Sequence, residues 1–263
     1  KFLFFFNLNL LAEYIVDWLR DYGHKAKQDG FIIGISGGVD SALTSTLCAK
    51  TGMKTMLVSM PIHQHPDQLK RAHDHMHWLT DTYSNVSSVE VDLTDSFETL
   101  RSSLPTEVSG HELSMANTRA RLRMTTLYAI GQTNTCLVAG TGNKIEDFGV
   151  GFYTKYGDGG VDLSPIADLT KSEVWALAKH LGVSAVITNA KPTDGLWGED
   201  RTDEDQLGAS YPELEWAMEF QGNESGLSDR QREVLAIYRR FNAVNQHKMQ
   251  PIPVCIIPEK LRA

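Results

Sequence analysis

The stretch Phe31-Ile32-Ile33-Gly34-Ile35-Ser36-Gly37-Gly38-Val39-Asp40-Ser41 decides how the rest of the chain is read. Residues 31–35 form an apolar run without alternation, the pattern of a strand covered on both faces. Ser36-Gly37-Gly38 then turns the chain, and residues 41–50 read as a helix. Two successive glycines reach backbone angles that a Cβ resists. Their N–H groups can gather into an anion nest, and the following helix N-terminus adds partial positive charge. Ser36 and Ser41 supply hydroxyls suited to phosphate oxygens. Asp40 would repel a phosphate, so it reads as a ligand of a magnesium ion bridging carboxylate and phosphate. With no G-K-[ST] and no G-x-G-x-x-G, the stretch is neither a Walker A loop nor a dinucleotide fingerprint. The plain alternative is a strand-to-helix turn that happens to contain glycines. The strand before it and the helix after it favour a phosphate loop.

Outward from this unit, strands and helices alternate. Leu8, Leu11, Ala12, Ile15 and Leu19 share one helical face, which predicts a helix over 8–22. Thr55–Met60, Val86–Leu93 and Thr135–Gly140 read as further strands, and 66–80 and 114–131 as helices. Residues 141–162 are rich in glycine and charge and read as a loop. Thr170-Lys171-Ser172-Glu173 is a capping box opening a helix through Leu181. Ser228-Asp229-Arg230-Gln231 is a second one, opening a helix to Asn242, and an extended tail follows from Pro251. Residues 189–210 are polar and acidic, and a weakly structured segment of that length reads as a lid. The pattern predicts one α/β domain over 1–263, with a parallel sheet flanked by helices on both faces. Ligands of such sheets bind at the carboxyl ends of the strands, near a switch in strand order.

The chain has 263 residues, with 25 Lys+Arg against 33 Asp+Glu and a net charge of −8. That balance argues against a nucleic-acid partner, which needs a basic field. Any bound anion must be held by local donors or a metal. No stretch approaches the length of apolar sequence that crosses a membrane. The opening Lys1-Phe2-Leu3-Phe4-Phe5-Phe6 begins like a signal peptide but is broken by Asn7 and Asn9. Cys48, Cys136 and Cys255 are odd in number and scattered, which fits a reducing compartment and a cytoplasmic protein. His73 and His77 have the helical spacing of zinc ligands, with His63, His65 and His75 nearby. No third ligand completes a site, so a surface-loop reading is preferred.

Ser36-Gly37-Gly38-Val39-Asp40-Ser41 resembles the pyrophosphate loop of the N-type ATP pyrophosphatases. These enzymes have an adenine nucleotide alpha hydrolase-like, Rossmann-like fold. Later segments narrow the resemblance to the ammonia-dependent NAD synthetase family. They are Gly140-Thr141-Gly142-Asn143-Lys144-Ile145-Glu146-Asp147, residues 152–163, Leu169-Thr170-Lys171, residues 192–197 and His247-Lys248. The resemblance runs in order from about residue 10 to residue 252.

It implies ATP-dependent amidation of deamido-NAD+ by ammonia to NAD+ through an adenylated intermediate, the final step of NAD biosynthesis. Mg2+ is the implied cofactor and ATP the co-substrate. Residues implied to hold ATP are Gly34, Ile35, Ser36, Gly37, Gly38, Val39, Asp40, Ser41, Thr141, Lys171 and Thr193. Asp40 and Glu146 are the implied metal ligands, and Arg121, Lys155, Asp162, His247 and Lys248 the implied contacts to deamido-NAD+. Lys171 stands in a first helical turn, where the dipole disfavours a cation, and that placement singles it out. Met249 stands where the family often has Arg. Asp158, in a Gly-Asp-Gly-Gly turn, is the candidate for placing ammonium and accepting its proton. Each residue has a plainer alternative: Glu146 and Lys171 as solvated charges, Arg121 as part of a solvent stripe with Arg119 and Arg123, and Asp158 as a turn former.

The length leaves no room for a glutaminase domain, so ammonia is expected to be used directly. A homodimer is implied, with the helix 114–131 completing the substrate site across the interface. Two rivals stand beside this reading: a GMP-synthetase-like or tRNA-modifying pyrophosphatase of the same fold, and a non-catalytic nucleotide-binding module.

Overall fold

Asn7 opens the described chain by capping helix α1 (Leu8–Lys25), its side chain accepting from Leu10 N–H. The computed structural model describes residues 7–193 and 202–262. The expected apolar face of α1 is the one it buries, through Ala12, Ile15, Val16 and Leu19. Four strands follow in a parallel sheet: β1 (Gly30–Gly34), β2 (Lys54–Ser59), β3 (Val86–Glu90) and β4 (Cys136–Val138), in the order β3-β2-β1-β4. Phe31 stands opposite Thr55 on one side and Leu137 on the other.

The unalternating run of β1 has a direct cause. Phe31 and Ile33 enter one core, with α1, α2 (Val39–Lys50) and α7 (Lys171–His180). Ile32 enters a second core on the opposite face, with Phe97 of α4 (Thr94–Ser103) and Met115 of α6 (Glu112–Thr133). All three residues are fully buried, so both faces of β1 are covered. Between these elements lie α3 (Pro66–Thr82) and the short α5 (Thr106–Ser109). The chain runs outward from β1 through β2 to β3, then returns to place β4 on the other side of β1. The reversal of strand order therefore falls between β1 and β4, and a ligand crevice is expected at their carboxyl ends.

After α7 come α8 (Ala185–Thr188), α9 (Asp203–Leu207), α10 (Tyr211–Glu219) and α11 (Asp229–Met249). With a single π turn at Ile145–Val150, α10 and α11 enclose a third apolar cluster that includes Tyr211, Leu214 and Val234.

Several boundaries differ from those read off the sequence. Helix α2 begins at Val39, so Asp40 and Ser41 lie inside its first turn. β3 ends at Glu90 rather than Leu93 and is an exposed edge strand. The segment 141–162 contains the π turn. Within 189–210, Thr202 and Asp205 form a capping box that starts α9, while residues 194–201 lie outside the described residues. Helices α4, α5 and α10 are short or weakly amphipathic, and periodicity does not mark them. The tail after Met249 is exposed and carries no helix or strand through Pro258, but it ends in a 3-10 turn at Glu259–Leu261 that the extended reading did not include.

All three cysteines are free. Among the described residues no group of three His, Cys, Asp or Glu is arranged to hold a metal; the partly exposed His73 pairs with Glu90. The surface-loop reading is corrected at His75, which is buried in the core and bonded to Ser45. No helix of the described residues is long and apolar enough to cross a membrane.

Candidate active site

Beyond β1 the chain stays extended for one residue, with Ile35 N–H donating to the Val58 carbonyl, and then turns at Gly37 with φ +82°. A side chain at Gly37 would be strained, and its Cβ would stand 2.4 Å from the Gln68 carbonyl of α3. Ser36 N–H donates to Ser41 Oγ at 3.3 Å, and Gly38 N–H donates to Ser36 Oγ at 3.2 Å. The serine hydroxyls thus brace the loop. Gly38 is the N-cap of α2 and supplies no side-chain acceptor to the first-turn N–H groups. Those orphan donors and the helix dipole make the turn an anion cradle. Arg71 Nε donates to the Gly37 carbonyl and brings a guanidinium to the same loop.

A cation stands beside the cradle. Lys171, the first residue of α7, has a side chain only 2% exposed. Its Nζ donates to Asp40 Oδ2 at 2.7 Å and to Glu146 Oε1 at 3.0 Å, and lies 4.7 Å from the Tyr211 ring centroid. Burial opposes the charge on Lys171. The two carboxylates override that penalty and hold its pKa above the ordinary lysine value. The lysine therefore sits against the helix dipole because two acids face it there.

Neutral side chains complete the group. Asn143 donates to Asp40 Oδ1 and accepts the Glu146 N–H. Tyr211 O–H donates to Glu146 Oε1 at 2.6 Å, and burial together with the charges of Glu146 and Asp203 pushes its pKa well up. Asp147 is partly buried; desolvation, followed by the charges of Glu146, Asp158 and Asp40, pushes its pKa up to about 7. A Cβ on Gly142 would come within 2.2 Å of the Asp147 carboxylate, so the glycine makes room for the acid. Asp158 accepts the Thr154 N–H at 2.9 Å.

One cavity over the carboxyl ends of the strands takes in residues 34–41, Thr141, Glu146, Asp158, Lys171 and Thr193. Every residue expected at the ATP and metal site therefore converges on one space. Gln64 and Arg123 line it as well, joined by an Arg123 Nη2 to Gln64 Oε1 bond of 3.0 Å.

Residues expected at the second substrate form a separate group. Arg121 Nε donates to the Lys155 carbonyl at 3.3 Å, and Lys155 Nζ donates to the His247 carbonyl at 2.7 Å. Lys248 Nζ donates to the carbonyls of Gly151 and Tyr153, and burial lowers its pKa against the opposing charge of Asp158. Asp162 stands apart from this cationic group. Its carboxylate accepts Tyr128 O–H at 3.0 Å and Val138 N–H at 2.8 Å, which ties the glycine-rich loop to β4.

Asn143, Tyr211 and Asp147 escaped the sequence reading as site residues. Asn143 and Asp147 flank Glu146 in the segment already singled out, which is the one available signal. Tyr211 reads only as an aromatic after the N-cap Ser210.

The donor set suits a hard divalent ion. Two carboxylates from different elements already share one positive group, and Mg2+ is typically held by one or two carboxylates together with phosphate oxygens and water.

A family model described as NAD synthase matches residues 11–251. An NH(3)-dependent NAD(+) synthetase of Carboxydothermus hydrogenoformans is 37% identical over 241 residues, covering 90% of this chain and 93% of its own. Among solved structures, an NMN synthetase from Francisella tularensis aligns with a TM-score of 0.84 and 30% identity, over 96% of this chain and 99% of its own. An NH3-dependent NAD synthetase from Campylobacter jejuni aligns with a TM-score of 0.75 and 25% identity, over 95% of this chain and all of its own.

Proposed function

The chain belongs to the NAD synthase family, and from that membership we propose that it is a ligase that amidates deamido-NAD+ with ammonia to NAD+, converting ATP to AMP and pyrophosphate. The observation that carries the assignment to this site is the meeting of Lys171, Asp40 and Glu146 beside the amide cradle of residues 36–41.

The cradle binds the triphosphate through backbone N–H groups and the Ser36 and Ser41 hydroxyls. The nicotinate carboxylate attacks the α-phosphorus. A new P–O bond forms as the bond to pyrophosphate breaks. A carboxylate oxygen is a poor leaving group, and adenylation exchanges it for AMP. Ammonia then attacks the activated carbonyl, and the C–O bond to AMP breaks. Lys171 supplies positive charge to the phosphates. Mg2+, held by Asp40 and Glu146 when bound, would neutralise charge on the departing pyrophosphate. Asp158 lines the same cavity and is the assigned acceptor for the proton of ammonium. Arg121, Lys155, His247 and Lys248 hold the dinucleotide at a distance from the reacting carboxylate. Asp162 acts through the loop it anchors to β4. Within the segment 189–210, the described residues 190–193 and Asp203 line the cavity and help to keep water from the adenylate, and a homodimer built on α6 completes the substrate site.

A second reading follows from the Francisella neighbour, which is an NMN synthetase. The reacting carboxylate of nicotinate mononucleotide is the same, so the chemistry is unchanged and only the cationic group would lose its ligand.

The deciding assay mixes protein, ATP, Mg2+ and ammonium with either deamido-NAD+ or nicotinate mononucleotide and follows pyrophosphate and the amide product. A higher kcat/KM with deamido-NAD+ supports the first reading, and the reverse supports the second. Pyrophosphate release with neither would reject both.

A further inference from the structure

Two acids that share one cation have to be held at a set separation, because unpaired like charges drift apart. We propose that Asn143 is the positioning residue that sets the gap between Asp40 and Glu146. The inference rests on the reading above that these two acids hold the metal of the nucleotide complex.

Asn143 is fully buried, and its amide is used in both senses. Nδ2 donates to Asp40 Oδ1 at 3.1 Å. Oδ1 accepts the N–H groups of Ile145 and Glu146, each at 3.2 Å. The Asn143 carbonyl accepts the Asp147 N–H at 2.9 Å, which closes the turn that carries Glu146. One side chain thereby joins the first turn of α2 to the π turn, 103 residues away.

Both functions matter and few residues offer both. A carboxylate accepts only, and a hydroxyl is too short to reach across. The donor to Asp40 also decides the orientation of that acid: Oδ1 is held by Asn143, and Oδ2 is turned to Lys171. On the opposite side, Tyr211 and Lys171 both take Glu146 Oε1, and Oε2 has no hydrogen bond among the described residues. An ammonium accepts a range of oxygen distances. Mg2+ requires near-octahedral oxygens at about 2.0–2.1 Å. An error in the gap therefore weakens metal binding more than it weakens the fold.

The test measures Mn2+ binding by electron paramagnetic resonance, in the presence of an ATP analogue with a non-cleavable α,β bridge. Asn143→Ser keeps an acceptor near the Glu146 N–H and removes the donor to Asp40. Asn143→Thr likewise keeps a short acceptor, removes the donor to Asp40 and adds no charge beside the two acids. Both are expected to weaken Mn2+ binding at least tenfold while the melting temperature stays within a few degrees of the parent. If one variant does not fold, the other carries the measurement. Asp40→Asn separates the two levels of the argument. Loss of Mn2+ binding in Asp40→Asn with parent-like binding in the Asn143 variants overturns the role of Asn143. Unchanged Mn2+ binding in Asp40→Asn overturns the metal assignment itself.

Discussion

Lys171 Nζ lies 2.7 Å from Asp40 Oδ2, an ion pair between the first turns of two helices whose partners are 131 positions apart in the chain. Its second acid, Glu146, leaves the lysine as the group that neutralises a largely buried carboxylate pair. Removing one partner of such a buried arrangement typically costs about 3–5 kcal/mol. Lys171→Met is accordingly expected to lower the melting temperature and to unbalance the acids it leaves behind. A divalent cation can then take the vacated role. Added Mg2+ should raise the melting temperature of Lys171→Met more than that of the parent, and equal shifts would count against the shared cation site.

The positive φ of Gly37 and its 2.4 Å approach to the Gln68 carbonyl act together. Gly37→Ala is expected to cost about 1–3 kcal/mol of stability from backbone strain. It should also raise the KM for ATP, because the cradle and α3 are forced apart. Calorimetry and initial rates on one preparation check both. A variant with parent-like KM would show that the turn is not the phosphate site.

Arg121 and Lys155 sit outside the cavity that contains the cradle. Charged hydrogen bonds are worth about 1.5–3 kcal/mol, roughly a 10- to 100-fold change in binding. Arg121→Ala and Lys155→Ala should raise the KM for deamido-NAD+ by that order and change the KM for ATP less than twofold. Nicotinate mononucleotide, used as a shorter substrate, should be much less sensitive. Equal losses for ATP and deamido-NAD+ would mean that the cationic group does not select the dinucleotide.

His75 is buried between Ser45 and Trp78, and desolvation lowers its pKa to about 4. Between that value and the ordinary histidine value of about 6.5, the unfolded chain binds the proton and the folded chain does not. Stability from this group is therefore complete above about pH 6.5 and falls as the pH drops toward 4, by roughly 3 kcal/mol in all. Asp147, whose pKa is raised to about 7, contributes a slope of opposite sign in the same window, so the histidine is read from the difference between parent and His75→Gln in denaturant unfolding from pH 7.5 to 4.5. A difference that does not change with pH would mean that His75 is protonated in the native state.

Much of the fold was legible because local physics repeats along the chain. Phe31-Ile32-Ile33 feeds two cores with alternate side chains, so burial on both faces is written as an uninterrupted apolar run. The Thr170 and Ser228 capping boxes mark helix starts because the cap and its Glu or Gln partner are three residues apart. β3 was read too long, since its outer residues face solvent at a sheet edge and carry no burial signal.

At the site, the residue types Asp40, Glu146 and Lys171 were legible, and so was the anion-binding turn. Their contacts were not. The sequence by itself determined a glycine turn between a doubly covered strand and a helix, because backbone angles and orphan N–H groups depend on near neighbours. Only the tertiary structure decided that Lys171 meets both acids, that Asn143 and Tyr211 fix their orientation, and that Asp162 braces β4 instead of joining the cationic group. Coulomb and hydrogen-bond energies depend on distances in space of a few ångströms, and those distances are set by packing between segments far apart in the chain.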